Sequence, residues 1–235
     1  INNFYGLFGL YELPFWFSYP FTIFFFFFLV NSINLIDGID GLSSGLCIFI
    51  LAVYVYLYLQ MDFTVLYAAG AAGLLGALLT FFYYNVFGNA KKHTKTFMGD
   101  SGSLFLGYAL AYLSIKFAMN NPAVMPYRSY ALLLSYTLLI VPTFDVIRVA
   151  IVRKLEGKAM FSPDKTHIHH KVMAAGFTMH QALCIILCLF MAFCVLNYVL
   201  YDCGISASWI VLVDVVLYTL FILLMNMLDK FRQEA

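Results

Sequence analysis

Charge is what this chain has least of. Only 11% of its 235 residues are Asp, Glu, Lys or Arg, against about 25% in a soluble globular domain. With 63% hydrophobic residues, 19% aromatic residues and a mean hydropathy of +0.89, that scarcity excludes a water-soluble enzyme and points to a polytopic membrane protein. Cysteine is also sparse. Cys47, Cys184, Cys188, Cys194 and Cys203 mostly fall inside apolar runs and form no C-x-x-C spacing. They are therefore read as packing residues rather than metal ligands or disulfide partners. The chain begins at Ile1 with no readable signal peptide, and the expectation is a fragment or a processed product. A formal net charge of +1 names no partner, and no nucleic acid is expected.

What is present is a series of apolar runs. At about 20 residues per span, an all-α bundle of seven transmembrane helices is expected at 15–35, 43–60, 64–86, 101–118, 129–149, 180–200 and 206–228. Residues 1–14 read as an interfacial lead-in. Gly70, Gly73 and Gly76, with Gly107, suggest close helix packing. Eleven of the 13 Lys and Arg fall on one side of this arrangement, Lys116 and Arg128 being the exceptions. The positive-inside rule makes that side cytoplasmic. A single integral-membrane domain over 1–235 is expected, with cytoplasmic loops near 36–42, 87–100 and 150–179.

Three polar clusters interrupt the apolar pattern on that side. The first, Asn31-Ser-Ile-Asn34-Leu-Ile-Asp37-Gly38-Ile-Asp40-Gly41, follows an aromatic run that includes Phe24 to Phe28. Carboxylates at a membrane helix end are costly without water, a cation or a partner, although a solvated turn would use the same residues. The second runs from Lys91 to Ser103. Its Asp100 lies where a helix starts, either as an N-cap or as a Mg²⁺ ligand beside Gly and Ser N–H groups suited to phosphate. The third begins at Asp145-Val-Ile-Arg148, continues through Arg153, and reaches Ser162-Pro-Asp164-Lys165-Thr-His167-Ile-His169-His170. Basic and imidazole groups together fit an anionic phosphodiester better than zinc. Neutral imidazoles can donate to phosphate oxygens without a buried fixed charge. A polybasic membrane-surface loop is the plainer alternative.

Taken in order, Asn31 to Leu42, Phe97-Met-Gly-Asp100-Ser-Gly102-Ser103 and Ser162 to His170 resemble the signatures of the polyprenyl-phosphate N-acetylhexosamine-1-phosphate transferases. This is glycosyltransferase family 4, and the His-x-His-His form is more similar to its WecA-type members than to its MraY-type members. The family's adjacent Asp-Asp pair occurs nowhere here. An N-terminally truncated chain lacking several helices is expected on that account.

The resemblance implies transfer of a sugar 1-phosphate, foremost N-acetylglucosamine 1-phosphate, from a UDP-sugar to undecaprenyl phosphate, with release of UMP. It implies Mg²⁺ (or Mn²⁺) as cofactor, held by Asp100 with Asn34. Asp37, Asp40 and His167 are the implied catalytic residues. Asn31, Arg153, His169 and His170 are implied to bind substrate. The expected setting is the bacterial inner membrane with the site facing the cytoplasm, as a first step in cell-envelope polysaccharide synthesis. An MraY-type phospho-MurNAc-pentapeptide transferase is the nearest alternative, and an ion- or proton-coupled transporter is the alternative of another class. A homodimer stays open, and Asp214, deep in the last span, has no role in this reading.

Overall fold

The computed structural model describes residues 1–61, 63–157 and 166–234. The Ser162-Pro-Asp164-Lys165 part of the third motif lies outside the described residues. The chain divides into two compact units, 1–139 and 140–235.

The first unit opens with a hairpin in the 1–14 lead-in, β1 (Asn3–Leu7) and β2 (Leu10–Glu12), paired antiparallel. Five helices follow: α1 (Phe15–Ile36), α2 (Leu42–Leu59), α3 (Val65–Phe87), α4 (Gly99–Ala118) and α5 (Ala131–Leu138). α2 packs on α3, and α1 on α4. The contact between α1 and α4 is close because Gly107 has no side chain. A Cβ there would meet the Val30 carbonyl oxygen at 2.7 Å. The expectation for Gly70, Gly73 and Gly76 does not hold, since nothing lies within 4 Å of a Cβ at any of them. They point away from the face that α3 lays on α2. Between α2 and α4, the buried Tyr54 donates to Ser114 Oγ at 2.8 Å and Tyr58 to the Leu113 carbonyl at 2.6 Å. These bonds satisfy hydroxyls that burial would otherwise leave costly.

The second unit comprises α6 (Ile140–Leu155), α7 (Ile168–Ala174), α8 (Met179–Asp202) and α9 (Ala207–Glu234). α8 starts on a capping box, Thr178 with Gln181. Asn197 of α8 donates to Asp214 Oδ2 of α9 at 2.9 Å, and both residues are buried. Asp214 therefore joins two apolar helices by a polar contact.

The helices correct the expected span count. Among the described residues, α1, α2, α3, α8 and α9 are long and apolar enough to cross a membrane, and α5 with α6 would make a sixth. The expected span 129–149 is two helices interrupted at Leu139. Pro142 accounts for the break: it lacks an N–H, and its ring crowds the carbonyl four residues earlier, that of Leu138, where α5 ends. α6 then continues past 149, so Arg153 is helical rather than in the loop. It is also largely buried. Gly157, with a φ of 68°, follows two residues beyond the end of α6. α4 lies where the fourth span is expected, but its polar start and Lys116 keep it outside the apolar set.

Candidate functional site

In the first unit, the polar residues between α1 and α2 are held by the far end of α3. Gly41 adopts a φ of 84° and gives its N–H to Asn85 Oδ1 at 2.6 Å. The Asn85 amide also donates to the Thr96 carbonyl at 2.9 Å and lies 3.4 Å from Asp40 Oδ1. Lys95 closes the set, with its ammonium 2.6 Å from Asp40 Oδ2 and a further bond to the Asn85 carbonyl. Asn85 thus ties the Asp40–Gly41 turn to the 94–96 segment. Sequence reading passed it over because an isolated Asn near the end of an apolar helix carries no motif.

Asp37 lies on the same turn, half-buried, with no ion pair among the described residues. Burial, with the negative charges of Asp40 and Asp100 adding to it, pushes its carboxyl up to about 6. The electrostatic coupling brings Asp37, Asp40 and Asp100 into one neighbourhood, as the motif order suggests. Asp100 is exposed in the first turn of α4, and no side chain caps that helix. Asn34 donates to Ser103 Oγ at 2.7 Å, which links the end of α1 to the start of α4. Asn31 turns back on its own helix and donates to the Phe27 carbonyl at 2.8 Å.

Hard oxygen donors of this kind suit Mg²⁺, which takes one or two carboxylates and completes its shell with water and phosphate. Asp40 is already matched by Lys95. Asp37 is the carboxylate whose ionisation an added cation would favour most, and Asp100 is the exposed one beside it. Among the described residues, no group of three or more His, Cys, Asp or Glu is placed to hold an ion by itself. A cation here would therefore depend on ligands from water or substrate.

In the second unit the histidines are built on a buried carboxylate. Asp145 of α6, 1% exposed, places Oδ2 2.7 Å from His167 Nδ1. Its Oδ1 accepts from Arg148 Nη2 at 2.7 Å, from the Ile168 N–H at 2.9 Å and, at 3.4 Å, from the Tyr218 hydroxyl of α9. Arg148 also donates to the Thr166 carbonyl, so the same guanidinium anchors the start of the histidine segment. His167 and His169 lie with rings parallel, centroids 6.0 Å apart, and His170 sits 4.2 Å beyond His169. Burial and the neighbouring His170 push His169 down to about 4, and its buried Nδ1 has no hydrogen-bond partner among the described residues. A groove of about 540 Å³ passes Arg148, Thr166, Lys171 and Tyr218, with Phe144, Ile147 and Ile222 among its apolar walls.

Asp145, Arg148 and Tyr218 are the residues sequence reading left without a role. The signal was half visible: Asp145 and Arg148, three apart on a helix, share a face. Tyr218 lies 73 residues away and only the fold brings it in. His167 meets Asp145 through Nδ1, so Nε2 is the ring nitrogen left to face a substrate.

Residues 1–118 match the family model for glycosyl transferase family 4. The chain is 33% identical over 171 residues to a Bacillus subtilis protein described as a probable undecaprenyl-phosphate N-acetylglucosaminyl 1-phosphate transferase. It is 31% identical to the undecaprenyl-phosphate alpha-N-acetylglucosaminyl 1-phosphate transferase of Yersinia pestis, and 30% to that of Escherichia coli K12. These matches cover 72–73% of this chain and 44–45% of each relative, so the aligned stretch is less than half of their length.

Proposed function

The chain belongs to glycosyl transferase family 4, and on that premise we propose that it serves the transfer of a sugar 1-phosphate from a UDP-sugar to a polyprenyl phosphate, releasing UMP. After its relatives, the sugar phosphate in this reading is N-acetylglucosamine 1-phosphate and the acceptor is undecaprenyl phosphate. The bacterial inner membrane is the setting, with both polar clusters toward the cytoplasm. The skewed distribution of Lys and Arg supports that orientation.

The observation that carries the reading is the gathering of three carboxylates, the half-buried Asp37 with Asp40 and Asp100, at the end of a membrane helix. Such a group is costly to keep at a helix end, and a cation-assisted reaction of phosphates would use it. Asp37 and Asp100 would hold Mg²⁺, with Asn34 orienting the start of α4 through Ser103. Bound there, the ion would offset the negative charge of the pyrophosphate and of the attacking phosphate. Asp40, fixed by Lys95 and Asn85, keeps the turn in shape and supplies a second negative group for the water shell. Arg153, His169 and His170 would bind substrate phosphate or sugar, and Asn31 the nucleotide side. His167 would act on a reacting phosphate.

The test supplies purified intact protein with radiolabelled UDP-sugars and undecaprenyl phosphate. A lipid-linked sugar pyrophosphate formed together with stoichiometric UMP is expected, and only with a divalent cation. If UDP is released instead, or if no lipid product forms with any UDP-sugar, the reading is wrong.

A further inference from the structure

The Asp145–His167 contact can be taken one step beyond that reading, on which it rests. We propose that Asp145 is a positioning residue: it holds the proton of His167 on Nδ1 and turns Nε2 into the nitrogen that meets the substrate phosphate.

Among the described residues, the groups that bond Asp145 Oδ1 are all donors. Arg148 Nη2, the Ile168 N–H and the Tyr218 hydroxyl all reach Oδ1, leaving Oδ2 to His167 at 2.7 Å. A carboxylate surrounded by donors and paired with a guanidinium is held ionised, and an ionised carboxylate can only accept. The proton between it and the ring therefore belongs to Nδ1. The arrangement also fixes the ring direction, because the Ile168 N–H bond ties the backbone after His167 to the same carboxylate that holds its side chain. His169, the parallel neighbour, has no such partner on Nδ1 among the described residues. The two rings look alike in the motif and are set to different tasks by one buried Asp.

The consequence for the reaction is a proton path. Neutral His167 accepts at Nε2 the proton of the monohydrogen form of the lipid phosphate, the minor form near neutrality because its second pKa is about 6. The oxygen so bared forms a bond to the β-phosphorus of the UDP-sugar. The bond from that phosphorus to the bridging oxygen breaks, and its electron pair leaves with UMP. His167, now an imidazolium, has Asp145 as its counter-ion, and it returns the proton to UMP or to solvent. Among the described residues, the charged and titratable groups on the Asp145–His167 pair and its neighbouring rings are Arg148, Tyr218, His169 and His170.

The experiment uses the intact protein in lipid nanodiscs with ¹⁵N-labelled histidine. At pH 8 the wild type should show His167 with Nδ1 protonated and Nε2 bare, and Asp145→Asn should mix the two tautomers. In turnover, Asp145→Asn should lower kcat about a hundredfold and shift the acidic limb of its pH profile, with KM little changed. The double variant Asp145→Asn/His167→Gln should be no slower than His167→Gln alone, because Asp145 acts through the ring. A wild-type His167 protonated on Nε2 would overturn the proposal, as would multiplicative losses in the double variant. Should Asp145→Asn not fold, the wild-type tautomer still decides. If no lipid product forms in any variant, the proposed reaction has failed, and the tautomer is the separate measure of whether Asp145 positions His167.

Discussion

Asn85 accepts the N–H of Gly41 across 44 residues of sequence, at 2.6 Å, and so fixes the turn that carries Asp40. Its amide group serves the Thr96 carbonyl as well. Replacing Asn85 by Ala leaves a buried N–H and a carbonyl unsatisfied, at a cost of about 1–3 kcal/mol each. The variant should unfold several degrees lower in detergent and lose most activity. Leu, which fills the same space without the bonds, should be no better. Wild-type activity in either variant would show that the turn holds without this bridge.

Asp100→Asn tests the cation directly. The volume is kept, and Asp100 is exposed without a capping role, so expression and melting temperature should change little. Loss of a cation-held charge in phosphoryl transfer should lower turnover about a thousandfold, roughly 4 kcal/mol. Near-normal cation-dependent turnover in this variant would remove Asp100 from the site.

Asp37 gives a pH dependence with a definite sign. Its carboxyl rises from the ordinary 3.8 to about 6 on folding, so it binds its proton more tightly in the folded protein. The stability this contributes is complete below about 3.8 and is lost as pH rises through about 6. In metal-free protein, Asp37→Asn should therefore melt higher than wild type above pH 6 and equal to it near pH 4. Added Mg²⁺ should raise the wild-type melting temperature more than that of the variant. A constant difference across the pH range would contradict this.

His169 predicts the opposite slope. Folding lowers it from 6.5 to about 4, so between those values the unfolded chain takes up a proton that the folded one refuses. Stability should fall as pH drops from about 6.5 to about 4, by up to about 3 kcal/mol from this group. His169→Phe should flatten that slope while impairing substrate binding. Titration of wild-type His169 by NMR near 6.5 would refute the shift.

Gly107 and Gly73 separate close packing from open surface. Gly107→Ala forces a Cβ against the Val30 backbone at 2.7 Å and should cost about 1–3 kcal/mol. Gly73→Ala meets nothing within 4 Å and should leave the melting temperature the same or slightly raised. Equal effects at the two positions would mean that α1 and α4 are not held so close.

The class of protein, the positions of most helices and the three polar clusters were legible in the chain itself. Apolar runs long enough to cross a bilayer must form helices there, because no water is present to satisfy the backbone. Polar residues that interrupt such runs stand out for the same reason. Even Pro142 and Gly157, which end α5 and follow the end of α6, act through local sterics that a careful reading can reach. Partnerships were not legible. Nothing in the sequence says that Asp40 belongs to Lys95 and Asn85 while Asp37 is left under charge repulsion, or that His167 meets Asp145. Those outcomes depend on side chains up to 73 residues apart meeting within 3.4 Å. Only the packing of one helix on another sets such distances, and they decide which of two like residues is a brace and which is left to react.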